Sequence, residues 1–287
     1  MIKIIDENNI EEVINFSWEV AKNIINTSYP LRKSRSEIEK SLRKSMNHTE
    51  DKVLGYYKNN NLIGVIELFV EVTEKYLQVR TYINKDFDEI MNELLIYLKA
   101  YYPNFKAHFG YPKENIKAIN YFTANQYSCI EASSDLRLCT DDFVFKRDTT
   151  SAVQRLQKDD FSKYAIFHDH HGGEQMYWNS ARLYNAFDSW YIYVYMNGSE
   201  ILGSILIYCK PGLDCIEIFG LFVEEMPNQY EVIENLLYHS ISKILDKEKK
   251  IKEVIFFIEE QDILQYEIAK QIGFKDKGSY RCYSIDL

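Results

Sequence analysis

Hydrophobic positions along this chain follow two spacings, one typical of strands and one typical of helices. Residues 53–58 and 62–70 are largely apolar runs of strand length on either side of three asparagines, and this composition predicts a β-hairpin. Residues 9–25 have helical spacing instead, because one face would carry Ile10, Val13, Ile14, Ala21 and Ile24. The two periods together predict a mixed α/β protein.

The first half of the chain predicts the order β-α-α-β-β-β-α-β-α, followed by closing strands. Asn115 is the predicted N-cap of the last helix of this half, and Pro103 should prevent the preceding helix from continuing. Besides the hairpin and the first helix, we predict strands at 2–5, 77–83, 105–109, 135–138 and 143–146, and helices at 36–46, 87–100 and 115–126.

The second half of the chain predicts the same order again. Asn197-Gly198 supplies the hairpin turn. The predicted strands are 152–156, 190–196, 201–209, 216–223, 254–258 and 280–285, and the predicted helices are 161–167, 174–186, 231–245 and 263–272.

Sequence similarity between the halves indicates an internal repeat. Residues 62–68 recur as 201–207, residues 93–95 as 235–237, and residues 115–127 as 262–274, at offsets of 139, 142 and 147. The offsets grow in one direction, as small loop insertions would make them grow. Two diverged copies of one unit explain the pattern. We assign residues 1–145 to an N-terminal unit, expected to be structural, and residues 146–287 to a C-terminal unit, the candidate for catalysis.

Composition narrows the classes of function. The chain has 287 residues, enough for two domains with separate cores, and its 46% hydrophobic content is that of a globular protein. Its net charge of -9 argues against a nucleic-acid partner. We expect a cytoplasmic protein, because its five cysteines are scattered and the sequence shows no signal-peptide pattern. We expect no membrane partner, because the apolar runs are only as long as strands.

The strand order, a glycine in the third strand and a last helix ending in Gly-Phe resemble the GNAT acetyltransferase family. That family often has Asn-x-x-Ala-x-x-x-Tyr-x-x-x-Gly-Phe in its last helix. The first copy has Asn115 and Ala118 at these positions, and the second has Gly273 and Phe274. The resemblance covers nearly the whole chain, once per copy. It implies a tandem duplicated GNAT fold (α/β, also described as α+β), with mixed, mostly antiparallel sheets flanked by helices.

The resemblance also implies acetyl-CoA as the co-substrate. In the family, the fourth and fifth strands splay apart and their unpaired backbone groups receive the pantetheine arm, while the pyrophosphate lies at the N-terminus of the next helix. The matching cofactor-binding residues are Phe222, Val223, Gln229, Tyr230, Glu231 and Val232.

Both copies depart from the family's Gln/Arg-x-x-Gly-x-Gly/Ala phosphate loop. Residues 87–92 and 229–234 keep only Gln229 of that pattern and neither glycine. Carboxylates stand near the expected phosphates, and like charges about 4 Å apart repel by about 4 kcal/mol near a surface. These acids also suit a helix N-terminus in their own right.

Candidate catalytic residues come from three places in the second copy. The family's tyrosine, which protonates the departing thiolate, falls on Phe122 and Ala269, so Tyr266, one turn before Ala269, is the candidate general acid; a packed core tyrosine is the alternative. Glu217 matches a carboxylate that helps a water take the substrate proton, unless it is a solvent-facing strand residue.

Residues 168–173, His-Asp-His-His-Gly-Gly, form the densest polar cluster and are predicted to be a loop bordering the acceptor site. There His171 could deprotonate an incoming ammonium. A solvated loop and a metal shared by His168 and His170 are the alternatives, and we predict no metal site. A basic patch is formed by Arg32, Lys33, Arg35, Arg43 and Lys44. We interpret it as a solvated helix face or, alternatively, as a contact for an anionic ligand.

The sequence therefore supports two hypotheses. The first is an acyl-CoA-dependent N-acetyltransferase that transfers an acyl group directly to an amine, either a small molecule or a peptide, with a homodimer possible. The second is a non-catalytic binding or scaffolding protein that has kept the fold and lost acetyl-CoA binding.

Overall fold

The computed structural model describes residues 1–145, 151–172, 176–209 and 214–287. Within these residues the chain forms mixed α/β structure, as predicted. The strands are β1 (Ile2–Ile4), β2 (Lys52–Lys58), β3 (Asn61–Glu71), β4 (Tyr76–Ile83), β5 (Lys106–Pro112), β6 (Ser128–Cys139), β7 (Val153–Arg155), β8 (Trp190–Asn197), β9 (Glu200–Cys209), β10 (Cys215–Val223), β11 (Glu253–Glu259) and β12 (Lys275–Asp286). The helices are α1 (Ile10–Ala21), α2 (Arg35–Asn47), α3 (Phe87–Tyr101), α4 (Ile116–Ala124), α5 (Phe161–Gly172), α6 (Ser180–Asn185), α7 (Gln229–Lys247) and α8 (Ile263–Ile272).

The chain divides into two compact units that are not contiguous halves of the sequence. The first unit comprises Met1–Ser133 together with Gly278–Leu287, and the second comprises Ser134–Lys277. Most of β12 therefore belongs to the first unit, and the second half of β6 belongs to the second. We predicted a boundary after residue 145 between the two copies of the sequence repeat. That boundary divides the sequence rather than the compact units, and it stays a prediction.

The first unit has the strand order β1-β2-β3-β4-β5-β12. Neighbouring strands are antiparallel except for the parallel pair β4–β5. The hairpin between β2 and β3 turns at Asn59 and Asn60, both with positive φ, as the asparagine cluster predicted. One face of the sheet packs against α3 and α4 in a core that contains Leu94 and Phe122, and the other packs against α1 and α2.

The second unit repeats this arrangement. Read from its own first strand, the order is β7-β8-β9-β10-β11-β6, and β10–β11 is the parallel pair, as β4–β5 is in the first unit. Helix α7 packs on one face of the sheet, and α5 and α6 pack on the other. The shared order and the shared position of the parallel pair are the structural counterpart of the sequence repeat.

One conserved packing detail explains the glycine in each third strand. A Cβ on Gly64 would lie 3.0 Å from Ile90 of α3, and a Cβ on Gly203 would lie 3.0 Å from both Val232 and Leu236 of α7. These distances leave no room for a side chain without moving its neighbours. The glycines thus let the long helix of each unit approach its sheet.

Two predicted closing strands lie in the opposite unit from the one expected. Residues 280–286 pair with β5 of the first unit, although we expected 280–285 to close the second copy. Leu136 and Leu138, expected to close the first copy, are buried in the core of the second unit. Their alternating pattern predicts a strand with one buried face but does not say which sheet edge it joins. Residues 143–145 form no strand, and residue 146 lies outside the described residues.

Candidate functional site

In both units the two parallel strands pair at one end and then separate. Strands β4 and β5 pair from Tyr76 with Lys106 to Val79 with Phe109, yet β4 continues to Ile83. Strands β10 and β11 likewise pair only as far as Ile218 with Phe256. Backbone groups beyond these points need other partners, because buried peptide groups are almost always hydrogen-bonded. Each unit therefore has an opening between its two central strands.

The opening of the first unit is filled by the chain itself. The Ser28 N–H donates to the Thr81 carbonyl of β4 (3.2 Å), and the Tyr29 N–H donates to the Gly110 carbonyl of β5 (2.9 Å). The Thr81 N–H donates to the Ser28 hydroxyl at 2.7 Å. The extended segment 27–29 thus bridges the two separated strands, and Ser28 is only 3% exposed.

The N-cap of α4 fastens this segment. The Asn115 side-chain amide donates from Nδ2 to the Thr27 carbonyl at 3.1 Å, while its Oδ1 accepts from the Ala118 N–H at 3.2 Å. Asn115 is 1% exposed, so both of its bonds are buried. Asn115 therefore caps the helix, as predicted, and also holds the segment that fills the opening.

The opening of the second unit leads into a pocket of about 570 Å³. Four parts of the unit line it: the end of α5, the residues that follow β10, the first turns of α7 and the start of α8. Its volume falls in the range of ordinary small-molecule sites. Of the predicted site residues it brings together His171, Val223 and Gln229.

His171 is held by a carboxylate at the edge of this pocket. Its Nε2 lies 3.2 Å from the Glu224 Oε1. Because an ionised carboxylate only accepts hydrogen bonds, Nε2 donates in this contact, and the neutral form of the ring has its lone pair on Nδ1. The ring also stacks on Phe222, with ring centroids 6.2 Å apart. The arrangement orients an imidazole whose second nitrogen can accept a proton.

The predicted loop at residues 168–173 is wrong for residues 168–172, which extend α5 to Gly172; residue 173 lies outside the described residues. His168 is fully buried, with its Nδ1 3.2 Å from the Tyr164 hydroxyl and its Nε2 2.7 Å from the Trp178 carbonyl. Since a carbonyl only accepts, Nε2 donates to it and Tyr164 donates to Nδ1. Burial lowers the pKa of His168, partly offset by the bond to Trp178. His168 is therefore a neutral core residue that ties α5 to the chain after it.

Backbone groups of β10 face the opening of the second unit. The Gln265 Nε2 donates to the Leu221 carbonyl at 3.1 Å. Successive residues of a strand point their peptide groups to opposite sides, so the peptide group of Val223 faces the opening as well. Here a side chain that can rotate holds the position taken by main chain in the first unit.

The predicted cofactor-binding residues occupy different environments. Phe222 is half-buried against His168 and His171, and the Val232 side chain packs in the core against Gly203. The Gln229 side chain lines the pocket and donates to the Glu224 carbonyl at 2.9 Å. Tyr230 is exposed and donates to Gln271, and Glu231 is exposed in the first turn of α7.

Two predicted catalytic residues lie away from the described lining of the pocket. The Tyr266 hydroxyl donates to the Asp276 carboxylate at 3.0 Å, and this bond raises its pKa. Glu217 lies on β10 opposite Tyr208, within the part of the strand that pairs with β11. The structure thus places neither residue beside His171 in the pocket.

The lining of the pocket is acidic. Glu224, Glu225 and Asp262 line it, and no lysine or arginine does so among the described residues. Burial raises the pKa of Asp262. Our sequence-based site did not include Asp262, Glu224 or Gln265. The repeat contained a signal for two of them, because Asp262 and Gln265 stand where the first copy has Asn115 and Ala118.

Two arginines of the basic patch form ion pairs with acids of the first unit. Arg35 and Arg43 contact Glu11 and Glu39, as expected for a solvated helix face. Within the described residues, no group of three or more His, Cys, Asp or Glu side chains is placed to hold a metal. Nor is any helix of that part of the chain long and apolar enough to cross a membrane.

Solved structures show which fold this is. The chain is similar to a GCN5-related N-acetyltransferase from Sphaerobacter thermophilus, with a TM-score of 0.67 at 10% identity over 100% of this chain and 95% of that one. It is similar to a tandem GNAT protein from the clavulanic acid biosynthesis pathway, with a TM-score of 0.59 at 11% identity over 100% and 98%. A GNAT-family acetyltransferase from Colwellia psychrerythraea gives 0.52 at 12% identity over 100% and 99%.

These similarities confirm the predicted fold: the chain consists of two tandem units with the GNAT acetyltransferase fold. No protein-family model matches the sequence, and no curated protein matches it.

Proposed function

We propose that this protein is an acetyl-CoA-dependent N-acetyltransferase that acts on an amine, with its active site in the second unit. The observation that supports this most is the contrast between the two openings. In the first unit the opening holds residues 27–29, whereas in the second it leads to a pocket of about 570 Å³ beside His171. The GNAT fold of the neighbours supports acetyl-CoA as the acyl donor.

The proposed reaction is direct transfer. The neutral amine attacks the carbonyl carbon of the acetyl thioester, so that a C–N bond forms and the C–S bond breaks. His171 Nδ1 takes the proton that the amine nitrogen loses, and the Glu224 carboxylate stabilises the resulting imidazolium. That proton then passes to the departing thiolate, so free CoA thiol and an N-acetylated amine are the products.

Binding of acetyl-CoA is the first test. At 100 times its dissociation constant, a ligand specific to the native state stabilises it by about 2.7 kcal/mol, which a thermal-shift titration detects. His171→Asn should leave this shift intact and lower the rate of CoA release with an amine acceptor by about 10²–10⁴-fold. His48→Asn, at an exposed position of the first unit, is the matched control and should change neither.

The acidic lining of the pocket favours a second candidate, a non-catalytic protein that binds a cationic ligand. Glu224, Glu225 and Asp262 disfavour the phosphates of CoA and attract an ammonium. No thermal shift at millimolar acetyl-CoA, together with a shift from a diamine that is lost in Glu225→Gln, would support this candidate over the enzyme.

A further inference from the structure

The N-caps of α4 and α8 have the same backbone geometry. Asn115 has φ and ψ of -78° and 70°, and Asp262 has -84° and 60°. The N–H of each donates to the carbonyl three residues earlier, of Pro112 or Glu259. The carbonyl of each accepts from the N–H four residues later, of Ile119 or Tyr266. The two positions are therefore equivalent in structure as well as in the sequence repeat.

The side chains at these two positions do different things. Asn115 caps its helix through Oδ1 and donates from Nδ2 to the Thr27 carbonyl. Within the described residues, Asp262 makes no side-chain capping bond to α8, and the residue is part of the pocket lining. An ionised carboxylate has no hydrogen to donate, so Asp262 cannot bind a carbonyl as Asn115 does.

The first unit shows what such an opening holds. Its occupant is an extended chain with amide groups, and the Thr27 carbonyl of that chain meets the amide at the N-cap. The pantetheine arm of acetyl-CoA is also an extended chain with amide carbonyls. An arm lying in the second opening as residues 27–29 lie in the first would bring a carbonyl against Asp262.

We propose that Asp262 determines ligand specificity in the second opening, because it disfavours a ligand carbonyl there and favours a ligand N–H or ammonium. This inference rests on the proposed function. It means that the natural chain binds acetyl-CoA more weakly than the same opening would with asparagine at position 262.

The surroundings of Asp262 add to this effect. The same pocket is lined by Glu224 and Glu225 from the segment after β10, by His170 and His171 from the end of α5, and by the neutral Gln229 and Gln265 from α7 and α8. Burial raises the pKa of the Asp262 carboxyl, so it takes up a proton more readily than an exposed aspartate. Once protonated, it can donate a hydrogen bond to a carbonyl, so acetyl-CoA affinity should rise as pH falls through that pKa.

The test compares acetyl-CoA binding by wild type, Asp262→Asn and Glu225→Gln, using calorimetry across a pH series. Asp262→Asn restores a donor at the cap, and one hydrogen bond of this kind corresponds to about a ten-fold lower Kd. Its pH dependence should also flatten. Glu225→Gln is the control, since it removes one carboxylate from the same pocket without restoring that donor, and it should improve binding less.

The outcomes separate this inference from the proposed function. Binding by Asp262→Asn alone supports the inference and counts against acetyltransferase activity in the natural chain. Binding by wild type that Asp262→Asn does not improve overturns the inference and leaves the function standing. Equal gains in Asp262→Asn and Glu225→Gln also overturn it, because charge alone would explain them. No binding by any variant overturns both.

Discussion

The two units have the same strand order and the same gap between two parallel strands, yet they fill that gap in different ways. Main chain from residues 27–29 occupies the first opening, whereas a side chain, that of Gln265, reaches the equivalent carbonyl in the second. The comparison teaches that a duplicated fold can keep its architecture in both copies while the opening between the parallel strands is occupied by main chain in one copy and leads to a pocket in the other. The difference comes from local segments, since the sheets themselves correspond.

The largest expected effect comes from removing the strand that completes the first unit. A chain ending at Lys277 loses Cys282, Tyr283 and Ile285, all buried, and the stacking of Tyr283 on Phe122 at 4.6 Å. Each large apolar side chain contributes about 1.5–3 kcal/mol through burial, so the loss is comparable to the whole stability of a small domain.

We expect this truncation to remove hydrogen-exchange protection from β4 and β5 while α7 and β10 remain protected. Tyr283→Ala is a milder version and should cost about 3–5 kcal/mol in the first unit. If α7 lost its protection before β5 did, the assignment of β12 to the first unit would be wrong.

A smaller loss of stability should distinguish the main-chain contact in the first opening from the side-chain contact in the second. Ser28→Ala leaves the buried Thr81 N–H without its hydroxyl acceptor, which costs about 1–3 kcal/mol. Gln265→Ala frees the Leu221 carbonyl beside an open pocket, where water can replace the amide, so its cost should be below about 1 kcal/mol. Urea unfolding measures both, and equal costs would show that the second opening is as tightly closed as the first.

The smallest effect is the pH dependence that His168 contributes to the stability of the second unit. His168 is buried and neutral, with its pKa lowered by burial. Below the ordinary histidine pKa of about 6.5, the unfolded chain takes up a proton that the folded unit resists. Stability should therefore fall as pH drops below about 6.5, by at most about 1.4 kcal/mol per pH unit from this residue. His168→Gln should flatten that slope in urea unfolding between pH 5 and 7, and an unchanged slope would contradict a buried neutral role.

Part of the candidate site could be predicted from the sequence, and the reasons differ from residue to residue. The match to a family pattern predicts Val223 and Gln229, and the polar cluster at residues 168–173 predicts His171; all three line one pocket. Helical spacing alone made Tyr266 the candidate general acid. Spacing predicts which face of the helix a residue occupies but not the hydrogen-bond partner of its hydroxyl, which is Asp276.

The polar run at residues 168–172 shows a second limit. Polar composition favoured a loop, but Tyr164 and His168 are four residues apart on one helix face and bond to each other inside the core. Burial with satisfied hydrogen bonds outweighs the local preference of a polar segment.

The sequence by itself determined the duplication, the order of strands and helices, and the glycine that brings each long helix onto its sheet, because hydrophobic spacing and turn composition are local properties. Only the tertiary structure decided which unit each closing strand completes and which opening is filled. Those outcomes depend on pairing between residues far apart in the chain, such as Ser28 with Thr81 and Tyr283 with Phe109, and no local pattern encodes them.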